Sequence, residues 1–246
     1  MTRNWRWWAH LVVGVFFLLK PVPALGEDLL AQGLAAFQAK NYAKAIDLLG
    51  QHLKKYPHTV EGWRTRAACL EALGRQAEAL ADLDRGLSYT PRETPLLFDK
   101  GRMLAALERR PEAIDTFSAI LKLEPSNTEA LKERGETLAQ EGRLDEALND
   151  LSRAVALAPT DAWAYYKLGM VHLCLAQNKE AAAAFSTAIR LKPETPLFYF
   201  ARGQVYLRHL NQKEKAVADF QQGCRLGHPL CCQELEKMDL KPPKGS

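Results

Sequence analysis

One pattern of residues recurs about every 34 residues along most of the chain, and no other feature limits the fold as strongly. Its clearest copy lies at residues 128–159. There Leu131, Gly135 and Leu138 share one face of a first helix, because side chains three and four residues apart lie on the same side. Ala147 begins a similar face on a second helix, which a proline ends. Each copy therefore predicts a helical hairpin with one apolar side.

Steps of 34 residues carry the same residue types into the other copies. The small residue of the first helix recurs at Gly33, Ala67, Gly101, Gly135, Gly169 and Gly203. The small residue of the second helix recurs at Ala45, Ala79, Ala113, Ala147 and Ala181, and the bulky residue after it at Leu49, Leu83, Phe117, Leu151 and Phe185. In the sixth copy these two positions come one residue late, at Ala216 and Phe220. Small residues on both helices predict that each hairpin closes tightly.

This pattern resembles the tetratricopeptide repeat (TPR), and the resemblance covers roughly residues 27–229. It implies an all-α fold, a right-handed superhelical solenoid of about six TPR helical hairpins plus a C-terminal capping helix. The expected division is a signal peptide at 1–26, repeats at 27–59, 60–93, 94–127, 128–161, 162–195 and 196–229, and a capping helix with a mobile tail at 230–246.

The position before each first-helix glycine departs from the family, in which leucine is common. Five of the six copies carry a polar residue there: Gln32, Arg66, Lys100, Arg134 and Arg202. We expect these long side chains to cover apolar surface with their stems while their polar heads reach water.

The first 26 residues are typical of a secretory signal peptide. Arg3 and Arg6 supply a positive start, an apolar run extends to Leu19, and 24–26 offers a small-x-small cleavage site. Even counted from Trp7 the run is about 13 residues, short of the roughly 20 that a spanning helix needs. We expect an exported protein, periplasmic or alternatively secreted, that touches the membrane only through this segment if it stays uncleaved.

The charge balance gives no reason to expect a nucleic acid or a membrane surface as partner. The chain has 33 Lys and Arg against 29 Asp and Glu. Three of the basic residues, Arg3, Arg6 and Lys20, precede the first acidic residue, Glu27, so the remainder is nearly neutral.

Cysteines cluster near the C-terminal end. Cys224 and Cys232 enclose seven residues, which resembles the spacing in cysteine-bridged relatives of the TPR and implies a disulfide between neighbouring helices. Cys231 stays open as the alternative partner of Cys224, as do two buried thiols. Cys69 and Cys174 lie on first helices of different repeats, where we expect inert packing residues.

No arrangement of residues predicts catalysis, a metal or a cofactor. The histidines are scattered along the chain, without an H-x3-H pair or a cysteine pair at ligand spacing. The sequence contains no phosphate-binding loop, dinucleotide fingerprint or nucleophile elbow. Second-helix carboxylates such as Asp82 and Asp84 are interpreted as solvated. We therefore expect a protein that is not an enzyme.

Ligand-binding positions of the TPR family lie one turn apart along each first helix, on the concave side of the array. Transferred to this chain, they imply a partner-binding groove that is charged in repeats two to four and aromatic in repeats five and six. Its residues are Arg64, Phe98, Arg102, Lys132, Glu136, Trp163, Tyr166, Met170, Leu173, Leu197, Phe200 and Gln204. The Lys and Asn set with which some members hold a C-terminal carboxylate is missing.

Aromatic side chains exposed in a concavity are typical anchors of a protein or peptide ligand. Several of these residues could instead pack between first helices or against the cap. The sequence predicts a protein–protein interaction scaffold or adaptor of the cell envelope. The alternative is a glycan-binding or small-ligand-binding regulatory module in which Trp163 and Tyr166 form a stacking platform.

Overall fold

The computed structural model describes residues 25–241, so the predicted signal peptide up to residue 24 and the tail from residue 242 lie outside the described residues. The described part contains thirteen α-helices and no β-strand, which confirms the predicted all-α fold. The helices are α1 (Leu25–Gln38), α2 (Tyr42–Lys55), α3 (Val60–Ala72), α4 (Gln76–Tyr89), α5 (Thr94–Ala106), α6 (Arg110–Leu123), α7 (Thr128–Gln140), α8 (Leu144–Leu157), α9 (Ala162–Cys174), α10 (Asn178–Leu191), α11 (Pro196–Arg208), α12 (Lys213–Arg225) and α13 (Pro229–Lys237). None of them combines the length and hydropathy of a bilayer-crossing segment.

The helices pack as hairpins that stack in one continuous array. Each helix from α1 to α12 packs against the helix that follows it. The first helices of successive hairpins also contact one another, from α1 to α3 and onward to α9. Because the first helices approach one another in this way, they form the inner layer of the solenoid. We call the side of this layer that faces away from the second helices the inner face. The second helices form the opposite side of the array, the outer face.

A small residue allows the two helices of each hairpin to cross closely, as the sequence predicted. A Cβ atom added to Gly101 would lie 2.6 Å from the ring of Phe117, and one added to Gly169 would lie 2.6 Å from the ring of Phe185. Such distances are shorter than carbon atoms that are not bonded to each other adopt, so a larger residue would have to displace the ring. The same relation joins Gly33 to Leu49, Gly135 to Leu151 and Gly203 to Phe220. The bulky partners are completely buried.

The arginines before the small first-helix residue pair inside the hairpin, and their side chains stay only about 20% exposed, less than the sequence predicted. Arg134 donates to both carboxylate oxygens of Asp150, at 2.7 and 2.8 Å, and to the hydroxyl of Ser118 at 2.9 Å. Asp150 is buried on the second helix of the same hairpin. The guanidinium therefore finds its counter-charge inside the hairpin. The equivalent pairs are Arg66 with Asp82 and Arg202 with Asp219.

These ion pairs occur in every second hairpin. Hairpins two, four and six carry the Arg–Asp pair, whereas the first, third and fifth place Gln32, Lys100 and Leu168 at the arginine position. Asp82, expected to be solvated, is consequently buried. The hairpins therefore alternate in this buried ion pair.

The array ends with α13, which packs against α12. A disulfide joins Cys224 of α12 to Cys232 of α13, with the two Cα atoms 4.9 Å apart. Cys231 is a buried free thiol, and burial raises its pKa to about 12. Cys69 is buried, as expected for a packing residue. Cys174 is exposed instead, because it ends α9 at the surface.

Candidate binding groove on the inner face

Two of the charged residues predicted for the groove lie around an open cavity between α3 and α5. Arg64 and Arg102 both line this cavity, whose volume is about 360 Å³, together with Glu61 and Glu71. Arg64 donates to the two carboxylate oxygens of Asp99 at 2.5 and 3.3 Å. This hydrogen bond raises the pKa of Arg64. Arg64 is therefore engaged within the protein, while Arg102 is exposed at the cavity rim.

Lys132 does not line the groove as an exposed cation. Its side chain is buried on α7, with Nζ 2.7 Å from a carboxylate oxygen of Glu129 and 2.5 Å from one of Asp161. Burial alone would lower the pKa of Lys132, but the hydrogen bonds to Asp161 and Glu129 outweigh it and raise the pKa. The ammonium group of Lys132 forms intramolecular ion pairs, which the sequence analysis did not predict.

Glu136 is exposed on α7 and is also paired. Its carboxylate lies 2.5 Å from Nζ of Lys167 on α9, which contacts Glu133 at 2.9 Å as well. Burial opposes the charge of Lys167, but these carboxylates prevail and raise its pKa. Lys132 and Lys167 are therefore both protonated at neutral pH, so neither offers a free amine for nucleophilic chemistry.

Sequence reasoning missed Lys167, Glu133, Glu129 and Asp161. The spacing of Glu129 and Lys132, three residues apart on one helix, was an available signal. The contact from α7 to Lys167 joins two repeats, and the contact to Asp161 joins α7 to the N-cap of α9, so helical periodicity within α7 does not reveal them.

The aromatic wall lies on α9. Trp163 and Met170, two turns apart, are 40% and 39% exposed. Tyr166 lies between them and is half-buried, with ring centroids of Phe185 and Phe198 at 5.7 and 5.4 Å. Burial raises the pKa of Tyr166. The rings of Trp163 and Phe198 lie nearly perpendicular, with their centroids 5.1 Å apart. Tyr166 thus forms a packed floor, and Trp163 and Met170 stand out from it.

The predicted wall residues of α11 contribute less to the groove. Phe200 stacks on His228, just before α13, with a centroid separation of 4.9 Å. It therefore packs against the cap, which was one of the two interpretations of its sequence position. Other predicted groove residues are half-buried: Phe98, Leu173, Leu197 and Gln204. The exposed apolar surface of the predicted set is concentrated on α9.

Within residues 25–241, no group of three or more His, Cys, Asp or Glu side chains is arranged to hold a metal ion. The inner face offers ion-pairing groups and apolar side chains. Its chemistry is suited to recognising another molecule through contacts.

Known protein families agree with the architecture of stacked hairpins. A family model described as tetratricopeptide repeat matches residues 30–95 and 166–227, together more than half of the chain. A second model, described as TPR repeat, matches residues 135–173. The chain belongs to the tetratricopeptide repeat family. No curated protein matched the TPR chain in a sequence comparison.

Solved TPR structures share the fold. MamA from Desulfovibrio magneticus RS-1 is 27% identical, with a TM-score of 0.62 over 67% of this chain and 92% of MamA. PilW, described as a widely conserved type IV pilus biogenesis factor, is 18% identical, with a TM-score of 0.74 over 86% of this chain and 98% of PilW. YrrB, described as a TPR protein with an unusual peptide-binding site, is 20% identical, with a TM-score of 0.61 over 77% of this chain and 97% of YrrB.

Proposed function

We propose that this TPR protein is a non-enzymatic scaffold or adaptor that binds a partner protein or an extended peptide on its inner face. The observation that carries the proposal is the exposure of Trp163 and Met170, two turns apart on the same face of α9 above a packed aromatic floor. Large apolar side chains that remain exposed together on a rigid surface mark interaction sites, because leaving them in water costs free energy. TPR arrays offer such a curved surface to partners.

The cell envelope is the proposed location, with the periplasm as the favoured compartment. The N-terminal sequence is typical of a signal peptide, and a disulfide between Cys224 and Cys232 suits an oxidising compartment. PilW, a type IV pilus biogenesis factor, shares the fold. A scaffold for an envelope assembly is consistent with these observations.

Capture of partners from an envelope extract of the source cells tests the proposal. The full-length chain is compared with a Trp163→Ala, Met170→Ala variant after chemical cross-linking. Both side chains are exposed, so the variant is expected to stay folded, as circular dichroism can verify. We expect the variant to lose proteins that the parent captures.

A matched control places two equivalent changes on the outer face. Leu123→Ala and Leu157→Ala remove exposed apolar side chains from the ends of α6 and α8, and capture should persist. Equal capture by the parent and the α9 variant would contradict the proposal. Loss of capture in the presence of excess sugars would favour the alternative function, a glycan-binding module.

A further inference from the structure

The middle of the inner face carries more carboxylates than ammonium groups. Lys132 and Lys167 each lie between two acidic side chains. Four carboxylates therefore share two ammonium groups, which leaves an excess of two negative charges. The four carboxylates are those of Glu129, Glu133, Glu136 and Asp161.

The acidic groups cover the basic ones. The side chains of Lys132 and Lys167 are 10% and 19% exposed, whereas those of Glu129 and Glu136 are 59% and 46% exposed. A molecule that approaches this part of the inner face therefore meets carboxylate oxygens first.

These carboxylates lie beside the apolar residues of α9. Glu129 and Glu136 are seven residues apart on α7, or about 10 Å along the helix. Trp163 and Met170 occupy the same two places on α9, one repeat later. The helices α7 and α9 contact each other, and packed helix axes lie roughly 8–10 Å apart. An acidic row and an apolar row thus run side by side.

We propose that the surface between α7 and α9 binds a protein segment that carries a lysine or arginine beside a large apolar side chain. This inference rests on the proposed function and adds the chemistry of the partner. The apolar side chain of the segment contacts Trp163 and Met170, and its cation neutralises the excess charge at Glu129 and Glu136. Arg102 holds the same place on α5 that Glu136 holds on α7, so the basic part of the segment ends before α5.

Three fluorescent eight-residue peptides test the inference by anisotropy with the full-length chain. Each contains a phenylalanine and a leucine, and the peptides differ only at the adjacent residue, which is lysine, acetyl-lysine or glutamate. At low ionic strength we expect the lysine peptide to bind about three to five times more tightly than the acetyl-lysine peptide, as partly exposed ion pairs allow. The glutamate peptide should bind most weakly.

Two sets of variants locate the effect. The Glu129→Gln, Glu136→Gln variant should bind the lysine and acetyl-lysine peptides equally, because the amide removes charge and preserves shape. The Asp145→Asn, Glu180→Gln variant changes the net charge by the same amount at exposed positions of the second helices, and it should keep the preference.

Equal binding of the lysine and acetyl-lysine peptides by the parent would overturn the inference, as would tighter binding of the glutamate peptide or no binding of any peptide. Other results test the proposed function independently of the charge preference. If the peptides bind equally and Trp163→Ala, Met170→Ala abolishes binding, the apolar site stands and only the charge preference is wrong. Unchanged envelope capture by that variant would instead contradict the proposed function.

Discussion

Residue size at two paired positions determines how closely the helices of each hairpin approach. Phenylalanine on the second helix always faces glycine on the first, as in Gly101 with Phe117, because the ring rests against the helix backbone. Where the first position is Ala67, the second-helix residue is the smaller Leu83. The pair rather than either residue alone therefore sets the packing of the hairpin.

The substitution Gly101→Ala tests this relation. The added methyl group would overlap Phe117, and overpacking of a core typically costs about 1–3 kcal/mol. The higher helix propensity of alanine offsets about 1 kcal/mol of this cost, so the free energy of unfolding should fall by up to about 2 kcal/mol. Urea unfolding followed by circular dichroism measures the change.

Gly50→Ala is the matched control. Gly50 also lies within a helix, but its added Cβ would meet only Arg66, at 3.5 Å or beyond. Helix propensity alone then raises the free energy of unfolding, by about 0.5–1 kcal/mol. Equal stability of the two alanine variants would contradict the tight crossing.

At the scale of elements, one side chain links α7 to the start of α9. Asp161 is the N-cap of α9, and its carboxylate accepts hydrogen bonds from the backbone amides of Trp163 and Ala164 at 2.9 and 3.2 Å. The same carboxylate accepts a hydrogen bond from Lys132 of α7 at 2.5 Å. The helix that carries the apolar wall is thereby fixed against the helix that carries the acidic row.

Asp161→Asn should weaken this link in a pH-dependent way. Burial raises the pKa of Asp161, but the hydrogen bonds from Lys132 and from the amides of Ala164 and Trp163 outweigh it and hold the pKa below its usual value. Asparagine can still cap the helix, so the substitution removes mainly the charge. At pH 7 the free energy of unfolding should fall by about 1–2 kcal/mol.

The sign of the pH effect follows from the lowered pKa. The contribution of the Asp161 charge is complete above the unfolded pKa of about 3.9 and is lost as the pH falls through the lower folded value. The difference in the free energy of unfolding between parent and variant should stay constant from about pH 8 to pH 5 and shrink below about pH 4. Unfolding at a series of pH values measures it, with Asp145→Asn as the exposed control. A difference that grows toward acid would contradict the assignment.

At the scale of the whole molecule, the hairpins could be predicted because they depend on residues at fixed spacings, such as Gly135 and Leu151. The groove could be predicted only in part. The burial of Lys132 depends on Asp161, which precedes the next repeat, and the position of Phe200 depends on how the cap brings His228 onto its ring. Each of these contacts joins a first helix to the residue that caps the helix two elements later, so it follows from three-dimensional stacking and leaves no periodic signal in the sequence.

Stacking also explains why the inner face is suited to binding. Each hairpin buries its apolar side against its neighbours, so the side chains that remain exposed on α7 and α9 are held on a fixed framework. A partner then loses little free energy to ordering the groove. The proposed function therefore requires that the partner lies across the inner face of the array.

Site-specific photo-cross-linking tests that requirement most directly. A photoreactive amino acid replaces Met170 on the inner face or Leu157 on the outer face of the full-length chain, and the cells are irradiated. We expect that a partner protein is cross-linked from position 170 and that position 157 gives no such product. Cross-linking of the partner from position 157 with none from position 170 would contradict the proposed function.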